Sequence, residues 1–271
     1  MKNILFAVVG LCFAAWGTPS LRIMPLGDSI TRGDKSQDTA GYRGPLWTKL
    51  LAAGYNVDYV GSATDYAGTV SGMDVNHEGH SGWRLDATQG GSGIYENLPT
   101  WFANANATDP HVILLHLGTN DSGGDALNDK SRTVRLLDRI FAAQPDAHVI
   151  ITTLMWRNAS ANYARIQTYN AALPGIVSDQ QAKGQKITLL DMHAAVGSDP
   201  ANFDADLLHP NATGYAVLAD AWLGAIQALY PDPENFETAN QPAVVKVDRE
   251  AAADRLTLTV RFNQSVDADG E

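Results

Sequence analysis

Between Leu21 and Tyr230 the chain alternates short, almost uninterrupted apolar runs with longer stretches of helical periodicity. Leu21–Leu26, Asn56–Val60, His111–Leu117, His148–Thr153 and Ile187–Leu190 are rich in Ile, Val and Leu and bounded by turn residues, the pattern of strands buried on both faces. Between them lie predicted helices at Gly44–Ala53, around Tyr95–Ala107, at Lys130–Ala143 and at Tyr163–Gln185, the last with a break near Pro174-Gly175. A final helix runs from Thr213 to Leu229. Apolar strands separated by helices predict an α/β fold: a five-stranded parallel sheet in a three-layer α/β/α sandwich, flavodoxin-like in kind. In such a sheet ligands bind beyond the carboxyl ends of the strands, so the segments that follow each strand deserve the closest reading.

The flanks differ from this body. Lys2 followed by the apolar run Ile4 to Ala15, with Ala15-Trp16-Gly17 as a small-x-small site, reads as a signal peptide over 1–17, against the plainer reading of a buried first element. The run is too short to span a bilayer. The body is expected over 18–230, and Pro231-Asp232-Pro233-Glu234 opens a polar, Pro-punctuated linker to 242. Over 243–271, Ala243–Val247 and Arg255–Phe262 read as two strands of a partial β segment. They resemble the opening of a bacterial Ig-like module, or form a hairpin that packs back on the main domain.

Composition narrows the chemistry. The 271 residues carry a net charge of −11 with no basic cluster, which argues against nucleic acid and anionic membranes as partners. The one cysteine, Cys12, lies inside the expected leader, so thiolate catalysis, disulfides and Cys-metal sites are excluded from the mature chain. A monomer, secreted and extracellular, is expected. Sequons at Asn106, Asn158, Asn211 and Asn263 matter only in a glycosylating host.

Four strand-end segments carry candidate chemistry. Gly27-Asp28-Ser29-Ile30-Thr31 follows the first strand; Asp and Ser there are ordinary helix caps, yet Ser29 would also place a hydroxyl and a backbone N–H at the sheet edge. Leu117-Gly118-Thr119-Asn120-Asp121 follows the third strand; it is a turn by composition, and the Asn120 amide could reach the same point. Asp206-Leu207-Leu208-His209 precedes the last helix and offers a base, His209, with a carboxylate three residues away to orient it. In His77-Glu78-Gly79-His80-Ser81-Gly82-Trp83, Gly82 would supply a further backbone donor. The two histidines invite a metal reading, but no third ligand accompanies them.

In order and separation these segments resemble the four blocks of the SGNH, or GDSL-type, hydrolases over residues 21–230. The resemblance implies Ser29 as nucleophile, Asp206 and His209 completing a triad, and an oxyanion hole from Ser29, Gly82 and Asn120. Gly41-Tyr42-Arg43, Tyr59-Val60-Gly61-Ser62 and the His77–Trp83 block look like carbohydrate esterase family 3, which is associated with removing acetyl groups from xylan. That similarity implies an acetylated polysaccharide or oligosaccharide as substrate; neither cofactor nor metal is expected. Tyr42, Arg43 and Trp83, near the first two blocks, are candidates for stacking on or bonding to a sugar. Trp47, Trp101, Trp156 and Trp222 read as packing residues. A lipase, lysophospholipase or thioesterase of the same superfamily is the rival enzyme; a carbohydrate-binding protein on a hydrolase scaffold is the non-catalytic rival.

Overall fold

A computed structural model describes residues 20–38, 40–158 and 160–233, and the backbone of 244–252 and 255–262. The expected leader and nearly all of the expected linker lie outside the described residues. The chain opens with β1 (Leu21–Gly27), α1 (Ser29–Arg32), α2 (Arg43–Ala52), β2 (Val57–Tyr59) and β3 (Glu78–Gly79). It continues with α3 (Ile94–Phe102), β4 (Val112–His116), α4 (Lys130–Ala143), β5 (His148–Thr152), α5 (Ser160–Ala182), β6 (Ile187–Leu190), α6 (Met192–Val196) and α7 (Ala212–Leu229). A separate antiparallel pair, β7 (Val244–Ala252) and β8 (Arg255–Phe262), follows. Among the described residues no helix is long and apolar enough to cross a membrane.

All pairings in the main sheet are parallel, in the order β2-β1-β4-β5-β6, with β3 joined to β1. Leaving β3 aside, this is the flavodoxin-like arrangement expected from the apolar runs. Side chains of successive strand residues point to opposite faces, and two cores result. Met24, Leu26, Ile113, Leu115, Val149 and Ile151 meet α3, α4 and α5 on one face. Leu21, Ile23, Val112, Leu114 and Ile150 meet α2, α6 and α7 on the other.

Two prolines occupy positions that local rules disfavour. Pro25 lies in the middle of β1, a central strand. Odd-numbered residues of β1 direct their backbone groups toward β2 and β3, as the bonds Leu21 N–H to Asn56 O, Val60 N–H to Ile23 O and His80 N–H to Gly27 O show. Pro25 therefore puts its missing N–H into the gap where β2 has ended and β3 has not begun. Pro174 does not break α5, contrary to the expectation from sequence: the helix is continuous from Ser160 to Ala182. The proline removes one intrahelical bond, while Ile166, Tyr169, Leu173, Ile176 and Val177 bury one face of that helix against the sheet.

Beneath the loops that follow β3 and β4 sits a buried ion network. Arg132 of α4 donates to Asp86 Oδ1 at 2.7 Å and to Asp121 Oδ1 at 2.6 Å, and Asp121 Oδ2 accepts the Leu85 N–H at 3.0 Å. Burial raises the Asp86 carboxyl, but hydrogen bonds from Arg132 and Thr88 outweigh it and hold the group down at about 2. At Asp121 burial wins over Leu85 and Arg132, and the carboxyl titrates above its ordinary value. Removing the Arg132 cation takes away the charge that pairs with buried Asp121 and leaves Asp86 with Arg135 alone. Arg132→Gln is expected to lower the unfolding free energy by ~3–5 kcal/mol, read from urea titration; a loss below ~1 kcal/mol would show that the network is not holding these loops.

Candidate active site

The geometry begins with a close approach. Gly27, the last residue of β1, is in register with His116, the last of β4. A Cβ on Gly27 would lie 2.2 Å from the His116 carbonyl oxygen and 2.4 Å from Thr31 Oγ1, so only glycine fits. Asp28 then caps α1, its Oδ1 accepting the Ile30 N–H at 3.0 Å. Ser29 is the first residue of that helix, where a backbone N–H has no intrahelical acceptor. The helix lasts four residues and stops at Gly33, whose φ of 101° is left-handed. Ser29 is 8% exposed, enough for a small substrate to reach its hydroxyl.

From the opposite end of the chain a tight loop brings the base. Asp206 Oδ1 accepts the N–H groups of Leu208 and His209, both at 3.0 Å, so the carboxylate shapes its own turn. Its Oδ2 accepts His209 Nδ1–H at 2.7 Å. The ring is thereby fixed with Nε2 unprotonated, and the Ser29 hydroxyl donates to Nε2 at 2.8 Å. Burial alone would raise the Asp206 carboxyl, but the bonds from His209 and Leu208 outweigh it and keep the group below its ordinary value. Leu207, inside this turn, sits at φ 50°, an uncommon conformation for a bulky residue and a local store of strain at the site. Asn211 closes the loop as the cap of α7, accepting from Thr213 and Gly214 while its amide donates to Ala201 O and Phe203 O. That sequon asparagine is committed to structure.

The third part directly follows β3. His80 N–H bonds the Gly27 carbonyl at 2.9 Å, and Trp83 N–H returns to His80 O at 3.2 Å. The His80–Trp83 segment is a type II turn whose third position, Gly82, has φ 78°, the value that calls for glycine there. Gly82 is exposed, with nothing within 4 Å of where a Cβ would be, so a reacting carbonyl has room beside it. Asn120, in the 3-10 turn Thr119–Gly123 after β4, donates one amide hydrogen to Trp83 O at 2.8 Å. The other remains for an oxyanion.

Two candidates from sequence need correction. Tyr42 and Arg43 are fully buried and do not face a substrate. Arg43 donates instead to the carbonyls of Thr31, Arg32, Tyr66 and Val75, pinning loops from inside, and Tyr42 packs on Trp222 at 5.8 Å between centroids. Trp83 is half-buried, 4.7 Å from His80 and 5.2 Å from Trp101, with part of its surface open beside Gly82. Trp47, Trp101 and Trp222 are buried packing residues, and Trp156 packs edge-on against Phe203. The histidines that invited a metal reading are engaged by the protein itself. His77 Nδ1 accepts from Gly79 and its Nε2 meets the Asp65 carbonyl, while burial, aided by Arg43, drives its pKa to about 3. His80 Nε2 meets buried Glu78 at 2.8 Å.

A family model described as GDSL-like Lipase/Acylhydrolase matches residues 26–217, which contain every site residue above. The chain belongs to this GDSL-like lipase/acylhydrolase family. A multidomain esterase of Ruminococcus flavefaciens is 32% identical over 237 residues, which is 77% of this chain and 28% of that protein. A Clostridium thermocellum family 3 carbohydrate esterase superposes with TM-score 0.66 at 29% identity, covering 78% of this chain and 99% of its own. An acetyl esterase mutant with an acetate ion gives TM-score 0.65 at 27% identity, with the same coverage of 78% and 99%. The GDSL signature corresponds here to Gly27-Asp28-Ser29-Ile30, with Ile in the fourth place.

Asp28, a helix cap by its sequence, has a second property in this GDSL-family site. It is completely buried, and burial pushes its carboxyl up to about 7, against the opposing Ile30 N–H and the His209 charge. An unfolded Asp titrates near 4, so between roughly pH 4 and 7 the unfolded chain releases a proton that the folded chain retains. Stability from this group is therefore present at low pH and lost as pH rises through that window. Asp28→Asn keeps the cap acceptor and abolishes the titration. Its melting temperature is expected to exceed that of the wild type at pH 8, with the difference shrinking toward pH 4.5; a difference independent of pH would refute the assignment.

Proposed function

We propose that this chain is a secreted, extracellular serine carbohydrate esterase that removes acetyl groups from a plant polysaccharide such as xylan through an acetyl-enzyme on Ser29. The observation that carries the reading is the continuous relay Ser29–His209–Asp206; in this reading Ser29, Gly82 and Asn120 supply the oxyanion donors. His209 takes the hydroxyl proton as Ser29 Oγ attacks the acetyl carbonyl. Charge then develops on the carbonyl oxygen and meets the Ser29 and Gly82 N–H groups and the Asn120 amide. The imidazolium, stabilised by Asp206, returns the proton to the departing sugar oxygen; water repeats the sequence and releases acetate. Neither cofactor nor metal enters these steps.

Support for a short acyl group and a sugar comes from two directions. Two of the solved relatives are a family 3 carbohydrate esterase and an acetyl esterase with acetate. The segments that carry Ser29, Asn120 and Gly82 are glycine-rich and polar in sequence, which favours a small acyl group over a long apolar chain. Trp83 is the aromatic left to contact the sugar. Secretion is supported by the leader pattern over 1–17, and a monomer is the working expectation.

The test is hydrolysis of 4-nitrophenyl acetate and octanoate, then of acetylated xylan, beside a Ser29→Ala control. Acetate is expected to turn over faster than octanoate, with Ser29→Ala lowering kcat by at least ~10⁴-fold. Asn120→Ala should cost on the order of 10²–10³ in kcat. Faster octanoate turnover would move the reading to a lipase or thioesterase. Hydrolysis untouched by Ser29→Ala, or none at all, would leave it without support.

A further inference from the structure

An oxyanion hole assembled from three separate loops works only if those loops keep their spacing, and one hydroxyl lies where the spacing is set. Ser81 occupies the second position of the His80–Trp83 turn, immediately before Gly82. Its Oγ donates to Asp34 Oδ2 at 2.7 Å and accepts from Arg32 Nη1 at 3.1 Å. Both partners belong to the segment that carries the nucleophile. Arg32 ends α1, and the Asp34 N–H donates to the carbonyl of Ser29 itself at 2.9 Å. Asp34 is in turn tied to α7, the helix that follows the base-bearing loop, because its own carbonyl accepts the Tyr215 hydroxyl at 2.7 Å. Arg32 is held from behind by Asp65 and lies 3.8 Å over the Tyr66 ring.

Taking Ser29 as nucleophile and Gly82 as oxyanion donor, as proposed above, we infer that Ser81 is a positioning residue, clamped between Asp34 and Arg32 so that the Gly82 N–H keeps its distance from Ser29. The reasoning is geometric. The Gly82 turn is open to solvent on its far side, with nothing within 4 Å of the Gly82 Cβ position. Its neighbours in the chain are fixed through His80 and through Asn120 on Trp83 O, and the side-chain tether toward the Ser29 segment is Ser81. A type II turn closed by one bond of 3.2 Å can rock about its ends. Breaking the Ser81 bonds would let Gly82 drift outward without unfolding anything. Ground-state binding of an acetyl ester uses little of this donor, whereas the developing oxyanion uses all of it, so the cost should fall on kcat.

The experiment compares the wild type with Ser81→Ala and Ser81→Thr on 4-nitrophenyl acetate, and measures inactivation by a 4-nitrophenyl alkylphosphonate, whose phosphonyl oxygen occupies the oxyanion position. For Ser81→Ala, kcat is expected to drop ~10- to 100-fold, the scale of a displacement approaching 1 Å. KM should change less than about threefold and phosphonylation should slow in parallel, at an unchanged melting temperature. Ser81→Thr, which keeps the hydroxyl, should recover most of the loss. A Ser81→Ala kcat within about twofold of a wild type whose turnover depends on Ser29 overturns the positioning role alone. So does a loss that tracks a lowered melting temperature and is not recovered by Thr. A wild type without Ser29-dependent turnover overturns the proposed function and this role together.

Discussion

The site depends on how closely two strand ends can approach. β1 and β4 run side by side in register to their last residues, Gly27 and His116, and a β-carbon on Gly27 would meet the His116 carbonyl at 2.2 Å. Because that atom is missing, the chain after β1 turns at the sheet edge directly into α1, and the chain after β4 turns beside it into the segment bearing Asn120. This is also the place where strand order reverses, β2 and β3 lying to one side of β1 and β4 to the other, so the loops diverge and leave a crevice. The placing of the Ser29 and Asn120 turns on neighbouring strand ends is thus a property of backbone packing.

Around that crevice the polar residues divide into those that face outward and those consumed in holding loops. Arg43 binds four carbonyls, Arg132 bridges two buried carboxylates, and Arg84 reaches the carbonyls of Asn120, Gln89 and Gly90. Each cation satisfies loop backbone that no strand or helix partner reaches, the condition on which irregular segments are allowed near a core. The loops around the crevice are long and glycine-bearing, yet internal arginines brace them like struts. Such bracing suits electrostatic catalysis, in which donors must be aimed before charge develops.

Much of this could be read from the sequence, for a definite reason. The central strands β1, β4 and β5 are buried almost throughout, so they stand out as apolar runs, and topology then sets the following turns on one edge. That logic placed Ser29, Asn120 and His209 near one another before any coordinates. β3 escaped notice because it is two residues long and contains buried Glu78, whose charge reads as exposed. Tyr42 and Arg43 were misplaced for a related reason: a polar side chain donating inward to carbonyls looks, in one dimension, like one reaching for a ligand. Pro174 misled because tertiary burial of a long helix outweighed a local rule. Asp28 was legible as a cap but not as a buried carboxyl, since burial depends on what arrives from β4 and the base-bearing loop.

The two partners of the central hydrogen bond, Ser29 and His209, are 180 positions apart. The strand pairing that presents the serine forms when β4 joins β1, whereas the imidazole arrives only when the loop before α7 docks. A ribosome building this chain from its amino end would therefore finish a shaped, inert crevice long before the base emerged. Hydrolytic power would switch on late, with the closing of the last helix onto the sheet.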